Sequence, residues 1–86
     1  MATSSKKFEE IEQDLRKAIS EIGGFDASSV KTDAPFKEIG VDSMMALEIM
    51  ANLERNYKVQ IQERDLLRMT NISTTIEIIA FYLQRS

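Results

Sequence analysis

An all-α fold is what this sequence predicts: a four-helix bundle with a short third helix and a long loop between the first and second helices. Three observations predict it. Apolar residues recur at intervals of three and four over long stretches, the spacing of a helix face. With three Gly and one Pro, the chain has few of the sharp turns that a many-stranded sheet needs. The run that alternates apolar with polar, Tyr57-Lys58-Val59-Gln60-Ile61, has no second strand to pair with.

Residues 1–5 read as a frayed start in which Ser4 or Ser5 could cap the first helix. From Phe8 onward, Ile11, Leu15, Ala18, Ile19 and Ile22 continue one apolar face, which Gly23-Gly24 ends. The opposite face, with Lys6, Lys7, Glu9, Glu10, Glu12, Asp14, Arg16 and Lys17, reads as solvated surface. Residues 23–41 form a long connection, pinned to the core by Phe25, Val30, Phe36 and Ile39, with a short helical turn near 36–39.

The second helix is expected over 43–57 with Asp42 as its N-cap. Val59 and Ile61 then tuck inward from a loop, and a short third helix follows around 63–68. The last helix is placed near Ser73-Thr74, where Thr74-x-x-Glu77 has capping-box spacing, and it turns Ile76, Ile79, Ala80 and Leu83 inward. There is no internal repeat and no linker-like segment, so residues 1–86 read as a single domain, near the lower size limit for one core.

Composition removes several classes of function. The absence of Cys and His excludes disulfides, thiolate catalysis, Ser-His pairs and nearly every zinc site, and no calcium-loop spacing is present. A net charge of -3 argues against nucleic acid, which needs a dense basic patch. No apolar run has the length of a signal peptide core or a membrane span. A soluble, cytoplasmic monomer that inserts into no membrane is the expectation.

The second helix carries two apolar stripes. At about 100° per residue, Ala46, Ile49, Met50, Leu53 and Tyr57 fall in one sector and make the core stripe. Met44, Leu47 and Ala51 fall on the other side of Ser43, with Glu48, Asn52 and Arg55 continuing round and Met45 among Asn52 and Asn56. One stripe suffices to bury a helix in a small bundle. Either the connection 25–41 covers the second, or it is an exposed patch rimmed by Glu48 on which other proteins dock.

Ser43 stands beside that patch at the helix start. With no base in the chain to activate it, it is not a self-sufficient nucleophile. It can be the acceptor of a group that another enzyme transfers, and a phosphate there would meet the free N–H groups of a helix N-terminus. An ordinary capping pair, Asp42-Ser43, is the alternative.

The segment "IGVDSMMALEIMANLERNYKVQI" resembles the prosthetic-group region of the acyl carrier proteins. Gly40, Asp42, Ser43, Met44, Glu48 and Tyr57 fill positions of that family's pattern, and the likeness extends from the Phe8 helix to the helix around Ile76–Leu83. The resemblance implies a 4'-phosphopantetheine arm on Ser43, placed by a phosphopantetheinyl transferase from coenzyme A, with Asp42 positioning the site. It also implies acyl cargo carried as thioesters, sheltered in part between the helices. Acyl-loading, condensing and acyl-transferring enzymes would meet the chain at Met44, Leu47, Glu48 and Ala51, and the chain itself would catalyse nothing.

Departures from the pattern bear on pathway. Met44 replaces the usual Leu after the serine, and Met45 stands where fatty-acid carriers are usually acidic. Arg55, Lys58 and Arg64 accompany Glu48, Glu54, Glu63 and Asp65, so steering toward basic partners is weaker than in a strongly acidic carrier. Polyketide or specialised lipid synthesis is therefore expected over housekeeping fatty-acid synthesis, on a free-standing carrier. A D-alanyl or peptidyl carrier, and an unmodified helical interaction protein, are the alternatives.

Overall fold

Helix α1 runs from Ala2 to Gly23, a 3-10 turn from Phe36 to Ile39, α2 from Ser43 to Tyr57, α3 from Glu63 to Leu66 and α4 from Ile72 to Arg85. The structure is a computed structural model that describes the backbone of residues 2–85 and the side chains of residues 8–84. No strand occurs among the described residues, as the unpaired alternating run requires. No helix there is long and apolar enough to cross a membrane.

The first helix begins earlier than expected. Its backbone is helical through Ser4 and Ser5 back to Ala2, so neither serine marks the start. Met1 and any capping by the two serine side chains lie outside the described residues. Ile11, Leu15, Ala18 and Ile19 are buried and pack α1 against both α2 and α4. Phe8, at the outer end of the same face, is 42% exposed. Gly24 ends the helix in the left-handed conformation, φ 76°, and its N–H donates to the Ser20 carbonyl at 3.0 Å.

The long connection is held by more than its apolar pins. Phe36 is buried, and Phe25, Val30 and Ile39 pack partly buried against the core, as expected. Ala27 and Val41 are buried too. Arg16, read as surface, instead reaches across from α1: its Nη1 donates to the carbonyls of Ala27 at 2.8 Å and Val30 at 2.7 Å. Ser20 Oγ accepts the Ala27 N–H at 2.8 Å. At the other end, the Phe36 N–H donates to Thr70 O at 2.8 Å and the Ser73 N–H to Thr32 O at 2.9 Å. The connection is thereby tied to the approach to α4.

Helix α4 also starts before its expected capping box. Asn71 is the cap: its Oδ1 accepts the Thr74 N–H at 2.8 Å, and Thr74 Oγ1 accepts the Asn71 N–H at 3.2 Å. Glu77 is exposed and makes no such bond. Asn is at least as good a cap as Thr, and the earlier start brings Ile72 fully into the core. Ile76, Ile79 and Ala80 are buried as expected, joined by Thr75 and Ile78. Helix α3 ends at Leu66, with residues 67–68 as a turn, so it is shorter than the expected 63–68. No residue of α3 is fully buried.

Candidate functional site

The approach to the site is a backbone device. Gly40 closes the 3-10 turn with φ 88°, a conformation costly for any residue with a Cβ. Val41 is buried, and its N–H donates to Phe36 O at 2.9 Å. This reversal delivers Asp42, in extended conformation, to the start of α2. The Asp42 carboxylate accepts the Met45 N–H at 2.9 Å, the capping bond that its position in the sequence implies.

Ser43 is the first residue of α2 and is exposed. Among the described residues its hydroxyl has no hydrogen-bond partner. Asp42, the adjacent carboxylate, is engaged in the cap. Among the described residues no cluster of carboxylates could hold a metal ion. The local chemistry is therefore that of a free hydroxyl at the positive end of a helix dipole, a place suited to an esterified phosphate.

The two apolar stripes separate as the helical geometry requires. Ile49, Met50 and Leu53 are buried, and Ala46 and Tyr57 pack partly buried beside them. The second stripe is not covered by the connection: Met44 is 72% and Leu47 59% exposed, Glu48 is exposed and Ala51 half-buried. This face is therefore exposed, as one of the two sequence readings of the stripe has it. Met45 differs from expectation. Although it lies between Asn52 and Asn56 on the helical wheel, it borders Ile49 there and packs partly buried on the core.

Ser43 also lines a cavity of about 230 Å³ between α2 and α3. Ala46, Leu47, Ile49 and Met50 of α2 form one wall, and Leu66, Leu67 and Met69 the other. Leu15, Phe36 and Thr75 complete the lining, whose surface is overwhelmingly apolar. Thr75 is fully buried, but its hydroxyl donates to Asn71 O at 2.8 Å and is thereby spent inside α4. A more open groove, with Pro35, Lys37, Val41 and Thr70, adjoins Ser43 on its other side. Leu66 and Leu67 were missed as site residues. Two adjacent leucines in an otherwise polar short segment are a usable signal, because one of them has to stay exposed or line a surface cavity; Leu67 is 80% exposed.

The residues present fit a covalent phosphopantetheine. The hydroxyl is open to a modifying enzyme, the helix N-terminus suits a phosphate, and apolar space begins at the same side chain. The family model described as the phosphopantetheine attachment site matches residues 13–79. The chain belongs to this family of carrier proteins, whose members hold 4'-phosphopantetheine covalently and are not themselves catalysts.

Its relatives sharpen the class to acyl carrier protein. It is 37% identical over 68 residues to polyketide-8 synthase acyl carrier protein 2 of Streptomyces avermitilis, covering 78% of each chain. It is 27% identical over 63 residues to the citrinin polyketide synthase of Monascus ruber, covering 73% of this chain and 2% of the synthase. To the 3-methylorcinaldehyde synthase of Sarocladium schorii it is 23% identical over 66 residues, 77% of this chain and again 2% of the relative. Against the large synthases, then, the similarity spans one small segment.

Proposed function

We propose that Ser43 is the attachment point of the phosphopantetheine arm and that the chain serves polyketide synthesis, carrying acyl intermediates between separate active sites. One observation carries this reading: the Ser43 hydroxyl is exposed and unbonded at the head of α2 while its side chain borders the apolar cavity. When bound, the arm supplies a thiol on which acyl groups travel as thioesters. Ser43 Oγ forms the new phosphoester as the pyrophosphate bond of coenzyme A breaks and 3',5'-adenosine bisphosphate leaves. The hydroxyl proton goes to a base of the transferase, since the adjacent Asp42 carboxylate is engaged in the cap. Asp42 fixes the helix start through its bond to Met45.

The cavity's chemistry favours a hydrocarbon-like acyl segment. A cavity of about 230 Å³ has room for a short hydrocarbon segment. Each buried CH₂ contributes about 0.8 kcal/mol. An aminoacyl cargo would bring an ammonium to an overwhelmingly apolar lining, which disfavours the D-alanyl reading. The polyketide assignment draws on the names of the relatives and on the mixed charge of α2 and the residues after it, in which Arg55 and Lys58 stand among the acidic side chains.

Met44, Leu47, Glu48 and Ala51 form the face presented to the phosphopantetheinyl transferase and to the loading, condensing and acyl-transferring enzymes. The same reading gives a cytoplasmic monomer, working where coenzyme A and the transferase meet it. Intact-mass measurement after co-expression with a broad-specificity transferase tests the attachment. The expected result is a gain of one phosphopantetheine by the wild type and none by Ser43→Ala, with both folded. A wild type that stays unmodified, or a Ser43→Ala protein that still gains the arm, refutes the assignment.

A further inference from the structure

Helix α3 is the weakest wall of the cavity. It is four residues long, has no fully buried residue and has no side-chain N-cap. Its anchors lie at its two ends, where Ile61 and Met69 are buried. The Ile61 N–H is held by Glu54 Oε2 of α2 at 2.8 Å. Between those anchors, Leu66 and Leu67 face the cavity. Asp65 lies instead in a separate shallow groove with Ile78 and Tyr82 of α4.

In that groove a single hydroxyl makes two bonds to α3. Tyr82 Oη accepts the Gln62 N–H at 3.0 Å and donates to the Asp65 carboxylate. Gln62 is the N-cap position of α3, so the phenol satisfies that residue's own N–H, the donor that an N3 side chain takes in a capping box. Asp65 is 83% buried by side chain and is further shared with Arg68 Nη1 at 3.3 Å. Both bonds sit on the side of α3 away from Leu66 and Leu67, where the bundle can pull the helix inward.

We propose that the Tyr82 hydroxyl is a positioning group that clasps α3 against α4 and so sets how closed the cavity is beside Ser43. With the clasp made, Leu66 and Leu67 stand over the apolar space. With it broken, α3 swings on Ile61 and Met69 and exposes what the cavity holds. An element with few buried contacts opens locally at low cost, so one hydroxyl with two bonds can govern it. The consequence for cargo rests on the attachment at Ser43 proposed above. The clasp itself does not.

Tyr82→Phe in the full chain keeps the ring and removes the hydroxyl. Amide exchange of the unmodified protein should rise at least about tenfold at Asp65, Leu66, Leu67, Arg68 and Met69, the loss of one charge-assisted and one neutral hydrogen bond. Amides of α1 and α2 should stay within about twofold of wild type, as expected of a local opening. Asp65→Asn, which retains an oxygen acceptor, should move α3 less than Tyr82→Phe. No change in α3, or an equal rise throughout the bundle, overturns the clasp. On loaded protein, Tyr82→Phe should hasten hydrolysis of an octanoyl thioester severalfold and leave an acetyl thioester unchanged. Equal acceleration of both overturns the control of the cavity. A wild type that protects octanoyl no better than acetyl defeats the sheltering of cargo, an outcome the exchange measurement does not share.

Discussion

Tyr57, the last residue of α2, donates a hydrogen bond to the carboxylate of Asp14 on α1, 43 residues earlier in the chain. Partial burial, then the Asp14 carboxylate and the charge of Glu10, push the Tyr57 phenol above its ordinary value. The protonated phenol is therefore favoured by folding. Its contribution is fully present below the unfolded value of about 10 and is lost as pH rises through the higher folded value. Tyr57→Phe should cost about 1 kcal/mol at neutral pH. Urea unfolding should also show the gap between variant and wild type closing under alkaline conditions. A gap that stays constant with pH would mean the phenol contributes only packing.

Arg16 ties α1 to the long loop through three main-chain carbonyls. Its Nη1 bonds the carbonyls of Ala27, Val30 and, at 3.3 Å, Ser28, while Nε pairs with Glu12 at 2.9 Å. Arg16→Met keeps the apolar stem and removes every donor. The expected loss is about 1.5–3 kcal/mol, since charge-assisted bonds are lost and a partly buried carbonyl goes unpaired. Arg16→Lys should recover only part of it, because an ammonium lacks the planar fork. Denaturant melts measure both, and an Arg16→Met protein as stable as wild type would show the bonds to be ornamental.

Arg16 also marks where reading from sequence stops. A guanidinium on the polar face of a helix looks like any solvated charge, and its partners are main-chain carbonyls 11 and 14 residues away that leave no pattern of their own. The start of α2 was legible because its cap is local: Asp42 and the N–H it accepts are three residues apart. The core stripe of α2 and its exposed counterpart follow from helical angle alone, and Met44 and Leu47 lie where that angle puts them. The α4 cap was misplaced by one turn because Asn71 and Thr74 are both competent caps, and burial of Ile72 decides between them. The cavity was illegible in detail, since Leu66, Leu67 and Thr75 reach it only through the tertiary placement of α3 and α4.

Gly40 and Gly24 provide a matched pair. Both have positive φ, 88° and 76°, and neither would meet a neighbour if given a Cβ. Alanine at either should therefore cost about 1–2 kcal/mol from backbone conformation alone. Only Gly40 lies on the path that delivers Asp42 and Ser43. Gly40→Ala should slow phosphopantetheine loading, measured by mass at early times, while Gly24→Ala matches it in stability and loads normally. Equal loading by the two would show that the turn at Gly40 is not what presents the serine.

The exposed stripe of α2 should matter to partners and little to folding. Met44, at 72% exposure, and the exposed Glu48 contribute to no core, so Met44→Asp and Glu48→Lys should each change stability by less than about 0.5 kcal/mol. A contact central to docking costs over 1 kcal/mol when removed, so transfer to a partner enzyme should fall about tenfold in kcat/KM with Met44→Asp. Glu48→Lys should act chiefly on association, and its effect should shrink at high salt as rim charges are screened. Leu47→Asp is a different case, because Leu47 borders the cavity as well as the patch. It should lower transfer and also weaken protection of a loaded acyl chain, whereas Met44→Asp leaves that protection intact. If Met44→Asp and Glu48→Lys unfold the protein as readily as they impair transfer, the stripe belongs to the core and the docking face lies elsewhere.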